Sequence, residues 1–467
     1  MPSRNLTALF VATLLALVCY HRAARNRFAD TFARAMNIVT HDYVDEVEQR
    51  VLFEGAMNGM MDQLDMYSGY TPPREYRQFK EQIEGEFPGI GVMIELSEET
   101  QEIIVLAPLP GSPAAKAGIK ARDAITAIGG RPTKDQPLEK ALGQIKGPAG
   151  SRVQLTIRRP GHAGPLVFSV PRATISIESV LGDARRDDGS WIYHLLEHPR
   201  IGYIRIDSFG ERTADDLRRA FDTLRVPGEE VQSLILDLRG NEGGLLKTAV
   251  ETCDMLLDGG LIVSTRGRGG VERASYRAKP GTDLDPDLPL VVLVDRYSAS
   301  ASEIVAACLQ DHGRAVIVGE RSWGKGTVQN VEELEGGNSA IRLTIATYWR
   351  PSGKDIHKRR TSTDADDWGV RPDEGLEVKL TKPQYQELAL ARRTRDLAPL
   401  EELRKASAQR GVGNSEPKSD APSPPTPQAD PSEDEATTAP LVDPQLHKAI
   451  EYLEGLLGQR DRRSRAA

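Results

Sequence analysis

The sequence predicts a multidomain α+β protein: an N-terminal helical segment, a small β-rich domain, an α/β unit, a polar linker and a C-terminal helix. Residues 28–84 repeat apolar side chains every three to four positions, the spacing of one helix face. Residues 86–170 switch to short β runs, and residues 175–380 alternate strands with helices, as a mostly parallel sheet requires. At 467 residues the chain has length for about three domains. Its 39% apolar and 27% charged residues exclude a polytopic membrane protein and a wholly disordered chain. A net charge of −8 gives no global field for nucleic acid. Three cysteines cannot make a disulfide framework, and Cys253 and Cys308 read as small buried hydrophobes.

Residues 6–20, LTALFVATLLALVCY, carry no charge and have Arg4 before them and Arg22, Arg25 and Arg27 after. That is short of the ~20 apolar residues of a spanning helix but fits the apolar region of a secretory leader. No clean cleavage site follows, so segment 1–27 reads as a signal peptide or an uncleaved membrane anchor, and the protein as exported. Region 28–84 carries the helical stripe Phe32, Met36, Val39, Val47, Val51, Leu52 and Met57, and has a turn signal at 67–73. Region 85–172 holds strands at 91–96, 102–106, 124–128 and 153–157, with helical pieces at 113–117 and 138–145. Region 173–404 holds strands at 201–206, 233–238, 289–294 and 315–319, separated by helices at 214–224, 244–257 and 300–310. In the 405–440 linker, residues 413–440 contain seven prolines in 28 positions and no large apolar side chain. They cannot offset their ordering entropy, so disorder is expected there. Segment 441–467 is an amphipathic helix expected to dock back on the body, with dimerisation as the alternative.

Candidate chemistry begins at Tyr297-Ser-Ala-Ser300-Ala-Ser-Glu303, which follows a buried strand. Ser300 and Glu303 have the spacing of a capping box, which alone accounts for a serine there. A helix start also offers unpaired N–H groups, so a serine at that point can attack a carbonyl while the next N–H binds the oxyanion. No histidine is placed near it by sequence. A desolvated lysine can act as base instead, and Lys325, between Gly324 and Gly326, is the candidate. Two patterns mislead. Residues 319–327 resemble a phosphate loop, but Gly326 occupies the usual Ser/Thr position and no long helix follows. His194-Leu-Leu-Glu-His198 resembles an inverted zinc motif, but it lies in a β-like run before Pro199. Neither metal nor nucleotide is expected, and no cofactor.

In order along the chain, several segments resemble the carboxyl-terminal processing peptidases, the tail-specific serine–lysine proteases. They are Leu64-Asp-Met-Tyr-Ser-Gly-Tyr, Gly85-Glu-Phe-Pro-Gly-Ile-Gly91-Val, Ala107-Pro-Leu-Pro-Gly-Ser-Pro-Ala-Ala-Lys-Ala-Gly118, Leu236-Asp-Leu-Arg-Gly-Asn-Glu-Gly243-Gly244, the Ser300 and Lys325 segments, and Val370-Arg-Pro-Asp373. The resemblance implies a PDZ domain at 85–172 inserted before an α/β protease core of crotonase-like ββα layers at 173–404. It implies Ser300 as nucleophile, Lys325 as general base and Gln329 as the group orienting the amine. The N–H groups of Gly243 and Ala301 would form the oxyanion hole, with Asp311 in support. Gly89, Ile90, Gly91 and Val92 would hold a substrate's C-terminal tail by strand addition. Arg172, at the end of that domain, would report tail binding to the protease. Glu242 stands where the family usually has proline and is expected to face solvent. The implied partners are protein or peptide substrates with exposed C-terminal tails, the membrane if the N-terminal segment is uncleaved, and a second copy of the chain. The implied site of action is periplasmic or otherwise extracytoplasmic, with anchoring to the inner membrane if uncleaved. The alternative is a catalytically idle PDZ scaffold on a protease-like core.

Overall fold

The computed structural model describes Thr13 and residues 27–97, 99–225, 231–398, 400–401, 403 and 443–466. Most of the expected leader or anchor, and the expected linker, lie outside the described residues. No helix among the described residues is long and apolar enough to cross a membrane. The chain divides into two compact units, one running through Arg77 and including 329–344, the other made of 78–328 and 345–467.

In the first unit the expected helical region gives Arg27–Asp42 and Gln49–Met61. A further helix, Pro73–Glu84, begins after the proline-rich turn and leads out of the unit; proline suits a first helical position because its missing N–H would be unpaired there anyway. Between them the short strand Gly69–Thr71 pairs antiparallel with Ser339–Trp349, Gly69 opposite Arg342. Arg50 ties the unit together by donating to Glu54, Glu335 and the Tyr70 hydroxyl.

The second unit contains the β-rich domain and the α/β core. The former is a six-stranded sheet ordered Val92–Leu96, Ile103–Pro108, Ala124–Ile128, Arg152–Arg158 and Leu166–Pro171, with Arg131–Pro132 beside the third. Ile103–Pro108 alternates buried and half-buried residues, the period of two that points one face inward. Ile103, Val105, Ile125, Leu155 and Ile157 meet Ala141 and Ile145 of the helix Leu138–Ile145 in its core. Leu166–Pro171 was not expected from sequence. It is an edge strand in which only Val170 is fully buried, so its apolar signal is weak.

The α/β core is built on the parallel strands Ile201–Ile206, Ser233–Asp237, Leu290–Val294 and Val316–Gly319, adjacent in that order. Both faces are covered, which is why these strands read as continuous apolar runs. Leu234, Leu236, Leu290, Val292 and Val294 face a core with the helices Thr213–Leu224, Leu246–Asp254 and Ala301–Asp311. Ile235, Val291 and Leu293 face the other way, onto Ala449, Ile450 and Leu453 of the C-terminal helix Pro444–Ala466. That helix docks on the body, as expected. Cys253 and Cys308 are free and buried.

Candidate active site

Three loops leave the carboxyl ends of three neighbouring parallel strands. The glycine-rich loop follows Ser233–Asp237, the serine turn follows Leu290–Val294, and the lysine loop follows Val316–Gly319. In open α/β sheets this end is where sites form, because loops there converge. Asp295 joins the first two loops: its Oδ1 accepts the N–H groups of Gly240, Tyr297 and Ser298 at 2.9–3.0 Å.

The three serines of the turn have different surroundings. The Ser298 hydroxyl donates to the Leu238 carbonyl at 2.8 Å and accepts from the Asp295 N–H. The Ser302 hydroxyl donates to the Asn241 carbonyl at 2.9 Å. Both therefore pin the glycine loop against the serine turn. Ser300 stands apart, with φ +56° and ψ −112°, a conformation that costs a non-glycine residue about 1–3 kcal/mol and clusters at functional sites. Burial pushes the phenol of Tyr348 well above its ordinary range, and the Ser300 side chain acts against that.

Glu303 supplies what holds Ser300 in that conformation. It is fully buried, and one oxygen, Oε2, accepts the N–H of Ser300 and the N–H of Lys325, each at 2.8 Å. The nucleophile-candidate and base-candidate backbones thus converge on a single atom. Its Oε1 accepts the Ser322 hydroxyl and the Gly324 N–H, both at 2.6 Å. Burial pushes this carboxyl up to about 6, while the four donors pull it down. The sequence marked Glu303 only as a capping partner, and its grip on the lysine loop had no local signal.

The glycines beside Lys325 follow from close packing. A Cβ at Gly326 would lie 2.3 Å from the His357 backbone nitrogen, and one at Gly324 would lie 2.6 Å from the Lys358 Cβ. Gly243 is as tightly set: φ is +108°, and a Cβ would lie 2.8 Å from the Ala299 carbonyl oxygen and 2.9 Å from the Ala301 nitrogen. The Ala301 N–H, at the first helical position, donates to no backbone carbonyl among the described residues. The Gly243 N–H donates to Asn241 Oδ1 at 2.8 Å. Glu242 is exposed, as expected.

Peptidase family S41 matches residues 200–374, a PDZ domain matches 104–159, and the activating protease CtpB N-terminal domain matches 21–72. The carboxy-terminal-processing protease of Bartonella bacilliformis is 40% identical over 332 residues, 71% of this chain and 72% of that protein. This chain belongs to peptidase family S41. The S41 chain is also similar to the carboxy-terminal processing protease CtpA of Bacillus subtilis, 34% identical over 77% of this chain and 70% of the relative. A carboxyl-terminal-processing protease of Picosynechococcus is 37% identical over 68% and 71%. The chain is accordingly a serine peptidase of the carboxy-terminal processing type, with a PDZ domain ahead of an S41 core.

The remaining expected site residues fall in several places. Asp311 ends the serine helix and takes a bidentate contact from Arg350 at 2.9 and 2.6 Å. Burial pushes its carboxyl up, but Arg350 and the Ser352 N–H outweigh this and hold it below its ordinary value. Gln329 lies on the strand Thr327–Leu334 in the first unit and donates to the Thr344 hydroxyl at 3.2 Å. Ile90 is buried, and the N–H groups of Ile90 and Gly91 donate to no backbone carbonyl among the described residues. Arg172 donates to the carbonyls of Ile145, Gln144 and Arg152 and to the Ser151 hydroxyl, all inside the PDZ domain.

Proposed function

We propose that Ser300 is the nucleophile and Lys325 the general base of an endopeptidase that selects substrates by their C-terminal tails. The observation that carries this is the shared Glu303 oxygen, which gathers the Ser300 and Lys325 backbones while Ser298 and Ser302 are bound into the scaffold. The lysine amine takes the serine proton as the hydroxyl adds to the scissile carbonyl, then delivers it to the leaving amine. Water completes hydrolysis of the acyl-enzyme. Gln329 is the candidate to orient the amine.

The Ala301 N–H is the first oxyanion donor. Gly243 becomes the second when its N–H, which donates to Asn241 Oδ1 at 2.8 Å, turns from Asn241 to the oxyanion. Asp311 supports the site by fixing Arg350 behind the serine helix. In the PDZ domain, Gly89, Ile90, Gly91 and Val92 receive the tail, and Arg172 fixes the end of the neighbouring helix. We also propose an extracytoplasmic location, supported by the charge-free residues 6–20 with their basic flanks.

The test is cleavage of an unfolded reporter ending in small apolar residues by the full chain. Ser300→Ala and Lys325→Ala should each reduce kcat by at least ~10³-fold, the scale of losing a nucleophile or its base. A charged tail should lower turnover by the parent. Cleavage surviving Ser300→Ala would overturn the assignment, and tail binding without any cleavage would favour the idle scaffold.

A further inference from the structure

The PDZ carboxylate loop opens on a cavity of about 330 Å³ whose contents are unusual. Ile90, Val92, Leu142 and Ile145 line it, as an apolar terminal side chain would require. Two charged groups also line it: Lys146, directly after the PDZ helix Leu138–Ile145, and Glu81, from the helix Pro73–Glu84 that precedes the domain. Their side chains form a salt bridge, and the ammonium lies 5.1 Å from the centre of the Phe87 ring. The Glu81 side chain is 18% exposed and that of Lys146 35%. An anion from outside the PDZ domain thus occupies Lys146, the one cation among the described residues lining the cavity that the tail's carboxylate would enter.

We propose that Lys146 is a specificity-determining cation for the substrate's terminal carboxylate, and that Glu81 is its resident competitor. The inference rests on the tail-binding reading above. A free tail presents one negative charge beside the N–H groups of Ile90 and Gly91. As it enters, Lys146 exchanges the Glu81 carboxylate for the tail's, so the net gain in charge pairing is small. Affinity is therefore lower than the groove alone would give, and tails lacking a terminal charge gain no hold on Lys146. The exchange also frees the helix Pro73–Glu84 at Glu81, which couples occupancy of the groove to the segment leading into the domain.

The experiment is fluorescence anisotropy with a labelled peptide ending in small apolar residues, as free acid and as C-terminal amide. The full chain carries Ser300→Ala to prevent turnover. Glu81→Gln should bind the free acid about threefold more tightly than the parent, the scale of a partly exposed ion pair, and the amide with little change. Lys146→Met, which keeps the aliphatic stem, should bind the free acid more weakly and abolish the gain from Glu81→Gln in the double variant. Equal gains for acid and amide would make Glu81 a steric lid and overturn the charge exchange. Equal free-acid binding by the parent and Glu81→Gln would overturn the competitor. No binding by any variant would overturn the tail reading itself, and this inference with it.

Discussion

At the scale of single residues, Glu303 has the most consequence for its size. A carboxylate with no solvent is costly, and burial raises its value from 4.5 to about 6. The unfolded chain ionises this group near 4.5, so between 4.5 and 6 the folded state holds more protons. Folding stability should therefore fall as pH rises through that window, by about 2 kcal/mol for this group, and be insensitive to it below 4.5. Glu303→Gln removes that slope, which denaturant unfolding of parent and variant at pH 4.5 and 7 would measure. An unchanged slope would refute the assignment. The variant also sets an amide among the N–H groups of Ser300, Gly324 and Lys325, where only an acceptor fits. If Ser300 and Lys325 act as proposed, kcat should fall about 100-fold with substrate binding little changed, because their misplacement costs orientation rather than affinity.

At the scale of elements, the lysine loop shows how far the sequence could be read. Two glycines around a lysine implied a tight turn into a crowded place, and His357, Lys358 and Trp368 are the crowd. The parallel strands were equally legible, since burial on both faces leaves no polar alternation to blur them. The hairpin Gly260–Arg266 with Glu272–Ala278 was not, because its second strand has exposed and half-buried residues but none buried. The part played by Glu303 was hidden for another reason: its bonds to Ser322, Gly324 and Lys325 span about twenty positions, and no periodicity encodes them. Gly326→Ala tests the element directly. The added carbon meets backbone at 2.3 Å, which no rotamer change can relieve. Cleavage should drop at least ~100-fold while tail-peptide affinity at the PDZ domain stays within twofold. A fully active variant would mean that the loop tolerates displacement and that Lys325 does not need its present backbone.

For the second unit as a whole, the C-terminal helix closes the core across a long intervening stretch of chain. A parallel sheet must be covered on both faces, and Pro444–Ala466 supplies the cover over Ile235, Val291 and Leu293. Polar contacts fix where it lands. Asp443 pairs with Arg239 at 2.9 Å, Gln445 donates to the Val378 carbonyl at 2.8 Å, and Glu454 meets His198 at 2.8 Å. Arg239 also holds Asp237, immediately before the glycine loop, so the last helix is bonded to the root of that loop. The sequence showed an amphipathic helix but not its berth, which depends on a sheet face assembled from four separate strands. Leu453 is fully buried there, and Leu453→Ala should cost about 3 kcal/mol, transfer plus cavity. Urea unfolding would read this as a lower midpoint with an unchanged slope. A cost under about 1 kcal/mol would mean that the sheet face is stable without this packing. Because the described polar contacts of the helix reach the glycine loop through Arg239, Leu453→Ala should lower stability far more than it lowers kcat under native conditions.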